Sequence, residues 1–439
     1  MFDYDVIVVG CGPAGIMACA ELKKRGIKAV GIDVKVRLDK NFRAAAGFLF
    51  DEQDFNGEFI KTESRGDNTL FTFTKTGFSY LYPGTTMPVY QSHLISNGGK
   101  IYTVSCRKKP FMSIMDPTVW LQGLCRDAAD AGVTFITKTI VLNAREIPGG
   151  MAVDIRRVGK RKETITCRKL IAADGLSSRI AKRLGMNKDR PCMGQGPTVE
   201  YHMENVDTPF DGGDVGVFGR DNLGYDGYIL LVPCLGKTKT YRVETAIYGP
   251  AVNNYYSIEY FIHKSRFSSW FKNAKILGKY AATMELYPPM KKPYTGNTIF
   301  LGDSAAMAES LYPGATMCGY KGALAVEKEL LGEKGFEEYT AWWNNSAFEM
   351  TKDMQMMAEY AKRFLFEPWM GSAVMDELFE LAGKYPFVVD EFNGNPFSFG
   401  NAVIGHLQSV PGIQPQWKQR LEALKHATLA DFEQISMPQ

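Results

Sequence analysis

The chain opens on a short apolar run, Asp5 to Val9, whose β-branched residues stand side by side without polar interruption. That is the pattern of a strand buried on both faces. From Ala14 to Lys24 small and apolar residues recur at helical spacing, and a second apolar strand follows that ends on Asp33. Gly10, Gly12 and Gly15 fall between strand and helix. Gly10 permits the tight turn, Gly12 removes a side chain that would block a pyrophosphate, and Gly15 lets the helix pack close to the sheet. The unpaired N–H groups and the dipole at a helix start favour phosphate, and a carboxylate at Asp33 suits the hydroxyls of an unphosphorylated ribose. This βαβ pattern predicts a dinucleotide site.

A long insertion rich in Phe, Tyr, Gly and Thr follows, from about Lys40 to Lys109, before helical spacing returns at Thr118 to Gly132. Insertions of that size usually serve a site. Strand patterns come next at Val133 to Ile136, Met151 to Val158 and Thr164 to Ile171, the last running into AADGLSSR. From Pro197 to Tyr248 the pattern alternates, with YILLVP and TYRVETAIYG as the clearest strands, and predicts a separate sheet. Asn297 to Asp303 is again a buried strand, GYKGALAVEKELL supports a helix from about Met317 to Leu331, and about Phe336 to Gln439 reads as helices broken at Pro368, Pro386, Pro396, Pro411 and Pro415. The order interleaves two lobes within an α/β fold. Residues 1–80, 110–190 and 290–335 form the expected nucleotide domain, 81–109 and 191–289 a β-rich substrate domain, and 336–439 a helical C-terminal region.

Composition narrows the partners. With 45% hydrophobic and 23% charged residues and a formal net charge of +3, the 439-residue chain reads as an ordinary globular protein with no call for nucleic acid. Its one basic run, Arg156 to Lys162, sits between two strand patterns as a solvated hairpin tip. Eight scattered cysteines, with no CxxC pair, predict reduced thiols and no zinc or iron–sulfur site. The first strand begins within five residues of Met1, leaving no room for a signal peptide, and no apolar stretch approaches a bilayer span. The expectation is a cytoplasmic protein, with peripheral membrane contact of the helical C-terminal third left open.

Three separated motifs stand in order: GCGPAG at Gly10 to Gly15, AADGLSSRIAKRLG at Ala172 to Gly185 and IFLGDSA at Ile299 to Ala305. Together they resemble the flavoprotein group typified by para-hydroxybenzoate hydroxylase, and its geranylgeranyl reductase branch looks closest. The resemblance implies a glutathione-reductase-like, Rossmann-type FAD-binding domain with FAD as cofactor. By position, it implies Gly10, Gly12 and Gly15 at the pyrophosphate, Asp33 at the adenosine ribose, and Arg43 along the phosphate and ribityl chain. It also implies Asp174 and Gly175 in a partly structural middle motif, and Gly302 with Asp303, whose carboxylate takes a ribityl hydroxyl. Pro313, Gly314, Ala315 and Thr316 match a loop leading into a helix aimed at the flavin pyrimidine ring. Two departures stand out. Where the branch often carries Cys-Gly, proposed to take part in proton delivery, this chain has Ala45, Ala46 and Gly47, and the aromatic signature ending in Phe-Pro is here GYDGYILLVP.

In such enzymes the flavin does the redox work while the protein positions and excludes. His202, His263 and His406 have apolar or aromatic neighbours and read as satisfied core or surface histidines rather than catalysts, so Tyr228, Tyr225 and Tyr312 are the better candidate proton donors. The branch implies a reductase that moves hydride from flavin N5 to a C=C bond of an apolar, isoprenoid-like or conjugated substrate. The 12% aromatic content and 20 methionines suit an adaptable apolar pocket. Two alternatives stand beside it: a flavin monooxygenase that hydroxylates an aromatic substrate, and a non-enzymatic carrier of prenylated ligands. No second GxGxxG follows a predicted strand, so electrons are expected from transiently docked NAD(P)H or from a redox protein such as ferredoxin or flavodoxin.

Overall fold

The computed structural model describes residues 1–44, 47–50, 54–55, 58–192, 194–210, 212–245, 253–305, 311–345, 362, 365–390 and 396–433. Ala45 and Ala46, the end of the expected strand TYRVETAIYG, and 346–361 of the expected helical region lie outside them. The fold is mixed α/β, built on two eight-stranded sheets.

In the first sheet, β1 (Tyr4–Val9) lies between β2 (Ala29–Ile32) and the strand Lys162–Ala172, parallel to both. Val6, Ile7 and Val8 are wholly buried, which is why the opening run has no polar residue to spare. Thr134–Ile136 extends the sheet beyond β2. Strand Lys162–Ala172 is shared along its length. Its first part pairs antiparallel with Gly150–Arg157, while Leu170, Ile171 and Ala172 pair in parallel with Thr298–Phe300. A segment far downstream thereby re-enters the nucleotide sheet beside its centre. The basic run forms the exposed tip of the hairpin between Gly150–Arg157 and Lys162–Ala172, with Arg157 paired to Glu163 at 2.9 Å.

Helix α1 (Pro13–Lys24) buries a face of small residues, Ala14, Gly15, Ala18 and Cys19. Against it lies the helix Leu311–Leu330, and a Cβ on Gly319 would come within 2.2 Å of the Ala14 carbonyl oxygen. Gly319 thus costs helix propensity but lets the two backbones touch. This helix begins earlier than the pattern GYKGALAVEKELL suggests: Pro313, Gly314, Ala315 and Thr316 lie in its opening turns and not in a preceding loop. Proline is tolerated there because first-turn N–H groups have no intrahelical acceptor to lose.

The long insertion folds into strands that sequence patterning left unassigned. Asn68–Phe73 and Ser79–Tyr82 alternate buried and exposed positions within a four-stranded sheet. Its buried Phe71, Phe73, Tyr80 and Tyr82 gather around Trp120 of the helix Pro117–Asp130. The second eight-stranded sheet runs Lys275–Leu286, Gly194–Glu204, Tyr241–Thr245, Tyr228–Pro233, Asp214–Phe218, Gln91–Ile95, Ile101–Cys106, Phe387–Val389. Helix Asn254–His263 covers one face, and the helices Ser372–Ala382, Pro396–Ser409 and Pro415–His426 cover the other. The edge strand Phe387–Val389 falls within the stretch read as helical. At three residues it carries no pattern of its own and owes its form to parallel pairing with Ile101–Cys106. Among the described residues no helix is long and apolar enough to cross a membrane.

Candidate active site

The three motifs meet at the carboxyl end of the first sheet. Gly10 has φ +90°, and a Cβ there would stand 2.3 Å from the Ala173 carbonyl oxygen and 2.7 Å from the Asp174 Cα, so the first turn is pressed against the middle motif. A Cβ on Gly302 (φ +57°) would lie 3.6 Å from the Ala14 methyl and 3.8 Å from that of Ala315. Ser304 ties the third motif to the second by donating to the Ala172 carbonyl at 2.6 Å. Segments some three hundred positions apart thus form one concave junction, at the strand ends where open α/β sheets receive ligands.

The glycines of the first turn divide into two kinds. A Cβ on Gly15 would fall 1.9 Å from the Gly10 oxygen, whereas one on Gly12 would meet nothing within 4 Å. Gly15 is therefore required by packing, while Gly12 faces open space at the start of α1, where it is the N-cap and brings no capping side chain to the first amides. That uncapped amide cluster fits a pyrophosphate. Asp33 is buried beside it: its carboxylate accepts from the Cys11 N–H at 2.7 Å and the Lys35 N–H at 2.8 Å. Lys35 Nζ in turn donates to the Cys11 carbonyl at 2.9 Å, so strand end and glycine turn are locked as a unit.

The other predicted residues take distinct positions. Asn41 brackets Arg43, donating to its carbonyl at 2.7 Å, and the Arg43 guanidinium lies beside Gly175, 3.6 Å from where a Cβ would stand. Asp303 is exposed, next to the turn. Asp174 is committed to structure: it accepts from Ser178 Oγ (2.6 Å) and the Arg179 N–H (2.8 Å), starting the short helix Arg179–Arg183. Burial raises its pKa above the ordinary carboxylate value. Thr316 is fully buried, accepting from Trp120 Nε1 at 3.0 Å and donating to the Tyr312 carbonyl at 2.8 Å. Its hydroxyl serves the protein interior. Together, Gly12, Asp33, Arg43, Asp303 and the opening turn of Leu311–Leu330 could hold a dinucleotide cofactor.

The three tyrosines are not brought together. Tyr312 sits at the junction, burial raises its phenol, and the charges acting on it come from Glu200, Asp303, Arg242 and Arg43. Tyr228 packs on Phe218 (5.2 Å) within the apolar layer beneath the C-terminal helices. Tyr225 lies on the opposite face of that sheet, edge-on to Tyr256 at 5.8 Å.

Sequence reasoning passed over several residues here. Glu200 (1% exposed) and Arg242 (4% exposed) are charged side chains buried on the strands Gly194–Glu204 and Tyr241–Thr245. Glu200 accepts from His202 Nε2 at 2.5 Å, and Arg242 donates to the Gly47 carbonyl at 3.3 Å. Arg190 holds the backbone just past Asp303, donating to the Ala305 carbonyl at 3.0 Å, and burial lowers it to about 10. A signal was available in VEYHME and YRVET, where charged residues occupy alternate positions of strands that hide both faces.

Comparison with known proteins agrees with this geometry. The FAD binding domain family matches residues 3–47, the span from β1 to Gly47. Digeranylgeranylglycerophospholipid reductase 1 of Methanosphaera stadtmanae is 24% identical over 367 residues, covering 81% of this chain and 83% of the relative. The digeranylgeranylglycerophospholipid reductase of Methanocaldococcus jannaschii is 23% identical over 392 residues, covering 87% and 91%. The crystal structure of a geranylgeranyl bacteriochlorophyll reductase-like protein from Thermoplasma acidophilum superposes with a TM-score of 0.65 at 15% identity, covering 98% of this chain and 99% of that one. Matched at the cradle by the FAD binding domain family and similar to such reductases along most of its length, the protein is an FAD-dependent oxidoreductase.

Proposed function

We propose that this protein reduces a C=C bond of an apolar, isoprenoid-like or conjugated small molecule. The carrying observation is the apolar cluster in which Tyr228, Leu230 and Val232 of the second sheet pack with Phe366, Met370 and Phe379, with Leu311, at the start of the helix Leu311–Leu330, packed against it. Such a cluster suits a long hydrocarbon and offers an anion little. The names of the aligned archaeal relatives, reductases of geranylgeranyl lipids, support the same substrate class.

When bound, FAD would supply the hydride equivalent. In this reading the chain's own residues do the rest. Gly12 and the α1 amides take the pyrophosphate, Asp33 the adenosine ribose, Arg43 the phosphate and ribityl side, and Asp303 a ribityl hydroxyl. The start of Leu311–Leu330 faces the pyrimidine ring, where its amides offset negative charge. Electrons enter from NAD(P)H or from a redox protein.

The test is anaerobic. Protein reconstituted with FAD and reduced with dithionite is mixed with prenylated or conjugated alkenes, and the flavin is expected to reoxidise with formation of the saturated product. Flavin that stays reduced with every alkene, yet reoxidises in air with hydroxylation of an aromatic compound, would overturn the proposal.

A further inference from the structure

Saturating a C=C bond requires a proton as well as a hydride equivalent, and Ala45 and Ala46 occupy the stretch where the related branch carries a cysteine. The substrate sheet carries an acid in that vicinity. Glu200, on the strand Gly194–Glu204, is 1% exposed, and its Oε2 is buried with no hydrogen-bond partner among the described residues. Burying such an oxygen without a partner is unfavourable, so a buried carboxyl kept in that state is available to a ligand. Its other oxygen, Oε1, meets His202 Nε2 at 2.5 Å, and the His202 side chain is 30% exposed. The pair therefore spans the wall of the site, with histidine toward water and the carboxyl inside.

Several contacts place the inner end at the cofactor side. Neighbouring Tyr201 points into the layer under helix Asn254–His263, so Glu200 points to the opposite face. On that face Arg242, paired in register with His202, reaches the Gly47 carbonyl, and Gly47 follows the two alanines. Glu200 is also foremost among the charges acting on Tyr312, ahead of Asp303.

We infer that Glu200 is the proton donor of the site and that His202 refills it from solvent. The inference rests on the reductase reading above. In the step, the Glu200 O–H bond breaks and a new C–H bond forms with the electron pair of the alkene π bond. The other alkene carbon takes a hydride equivalent from the reduced flavin, which the electron donor restores. The Glu200 carboxylate then recovers its proton through the His202 imidazole from water. The titratable and charged groups facing this pair are Tyr280 across the strand Lys275–Leu286, Arg242 and Glu244 across Tyr241–Thr245, Cys234 beyond Tyr228–Pro233, and Tyr312 from the helix.

Two readouts test it. In the apoprotein, the His202 ring nitrogens are followed by 15N NMR, with His202→Asn identifying their signals; Glu200→Gln is expected to shift the Nε2 resonance, because the carboxyl oxygen that meets it at 2.5 Å is replaced by an amide. In the FAD-loaded protein, Glu200→Gln is expected to leave flavin reduction by dithionite unchanged and to slow alkene-driven reoxidation at least ~100-fold. Glu200→Asp, which keeps the acid on a shorter arm, should recover part of that loss. An unmoved His202 Nε2 resonance, or Glu200→Gln reoxidising at the wild-type rate, overturns the assignment while leaving the reductase reading intact. Wild-type protein that no alkene reoxidises, even with the Glu200-dependent His202 signal present, overturns both.

Discussion

At the nucleotide cradle the working parts are backbone: the Gly10 turn, the open space above Gly12 and the uncapped start of α1, all within a few residues of one another. On the second sheet the distinctive parts are side chains, Glu200, His202 and Arg242, carried on strands that come together only after folding. The first arrangement binds through amides that any residue could supply, provided no Cβ intrudes. The second depends on particular charges held where charge is expensive. A site of the first kind is therefore sensitive to added volume, and one of the second kind to lost charge.

The glycine turn should show the largest effects, and in two separable forms. Gly15→Ala is expected to cost about 3 kcal/mol or more and to abolish folded, yellow protein, since its methyl would fall on the Gly10 carbonyl. Gly12→Val should leave the thermal midpoint of the apoprotein nearly unchanged, yet weaken FAD binding at least ~100-fold, about 2.7 kcal/mol. Flavin retained by Gly12→Val, measured by visible absorbance after dialysis, would break the contrast between packed and ligand-facing glycines.

Acid should act on the substrate sheet before it acts on the cradle. The nucleotide sheet has no histidine, whereas His93 on the strand Gln91–Ile95 is buried against Phe210 and its pKa is lowered to about 4 by that burial. Because the folded state disfavours the imidazolium, stability is whole above the unfolded value near ~6.5 and is lost as pH falls from there toward 4, by up to about 3 kcal/mol. Urea midpoints measured across that range should flatten in His93→Gln. An unchanged acid slope would move the sensitivity elsewhere.

Arg242→Met tests the side-chain region directly. It removes a donor from the Gly47 carbonyl and a cation from beside Glu200 and Glu244, and should cost about 2 kcal/mol by chemical denaturation. The tyrosines give the finest distinction. Tyr312→Phe is expected to slow alkene-driven flavin reoxidation about tenfold, while Tyr225→Phe, on the far face of the sheet, should leave it within about twofold. Equal effects at both positions would erase the assignment of faces.

Much of the cradle was legible because its signal is local. The strand Tyr4–Val9, the helix Pro13–Lys24 and the strand ending before Asp33 sit within a residue or two of where periodicity puts them. The start of Leu311–Leu330 was misjudged because proline and glycine read as a loop, although both are acceptable in a first helical turn. The insertion strands were missed because their aromatic residues pack on Trp120, which lies beyond the insertion in sequence. His202 read as a satisfied core or surface histidine because its partner, two residues away, becomes buried only when its strand takes its place in the sheet.

By itself, the sequence determined the nucleotide-binding βαβ unit, the α/β class and, through three ordered motifs, FAD as cofactor. These follow from backbone geometry, which glycine positions and hydrophobic period specify over short distances. Tertiary structure alone decided which face of the second sheet carries Glu200 and Arg242 and which carries Tyr201 and Tyr225. Facing depends on how whole sheets pack, and a strand hidden on both sides carries no period to announce which side the chemistry will use.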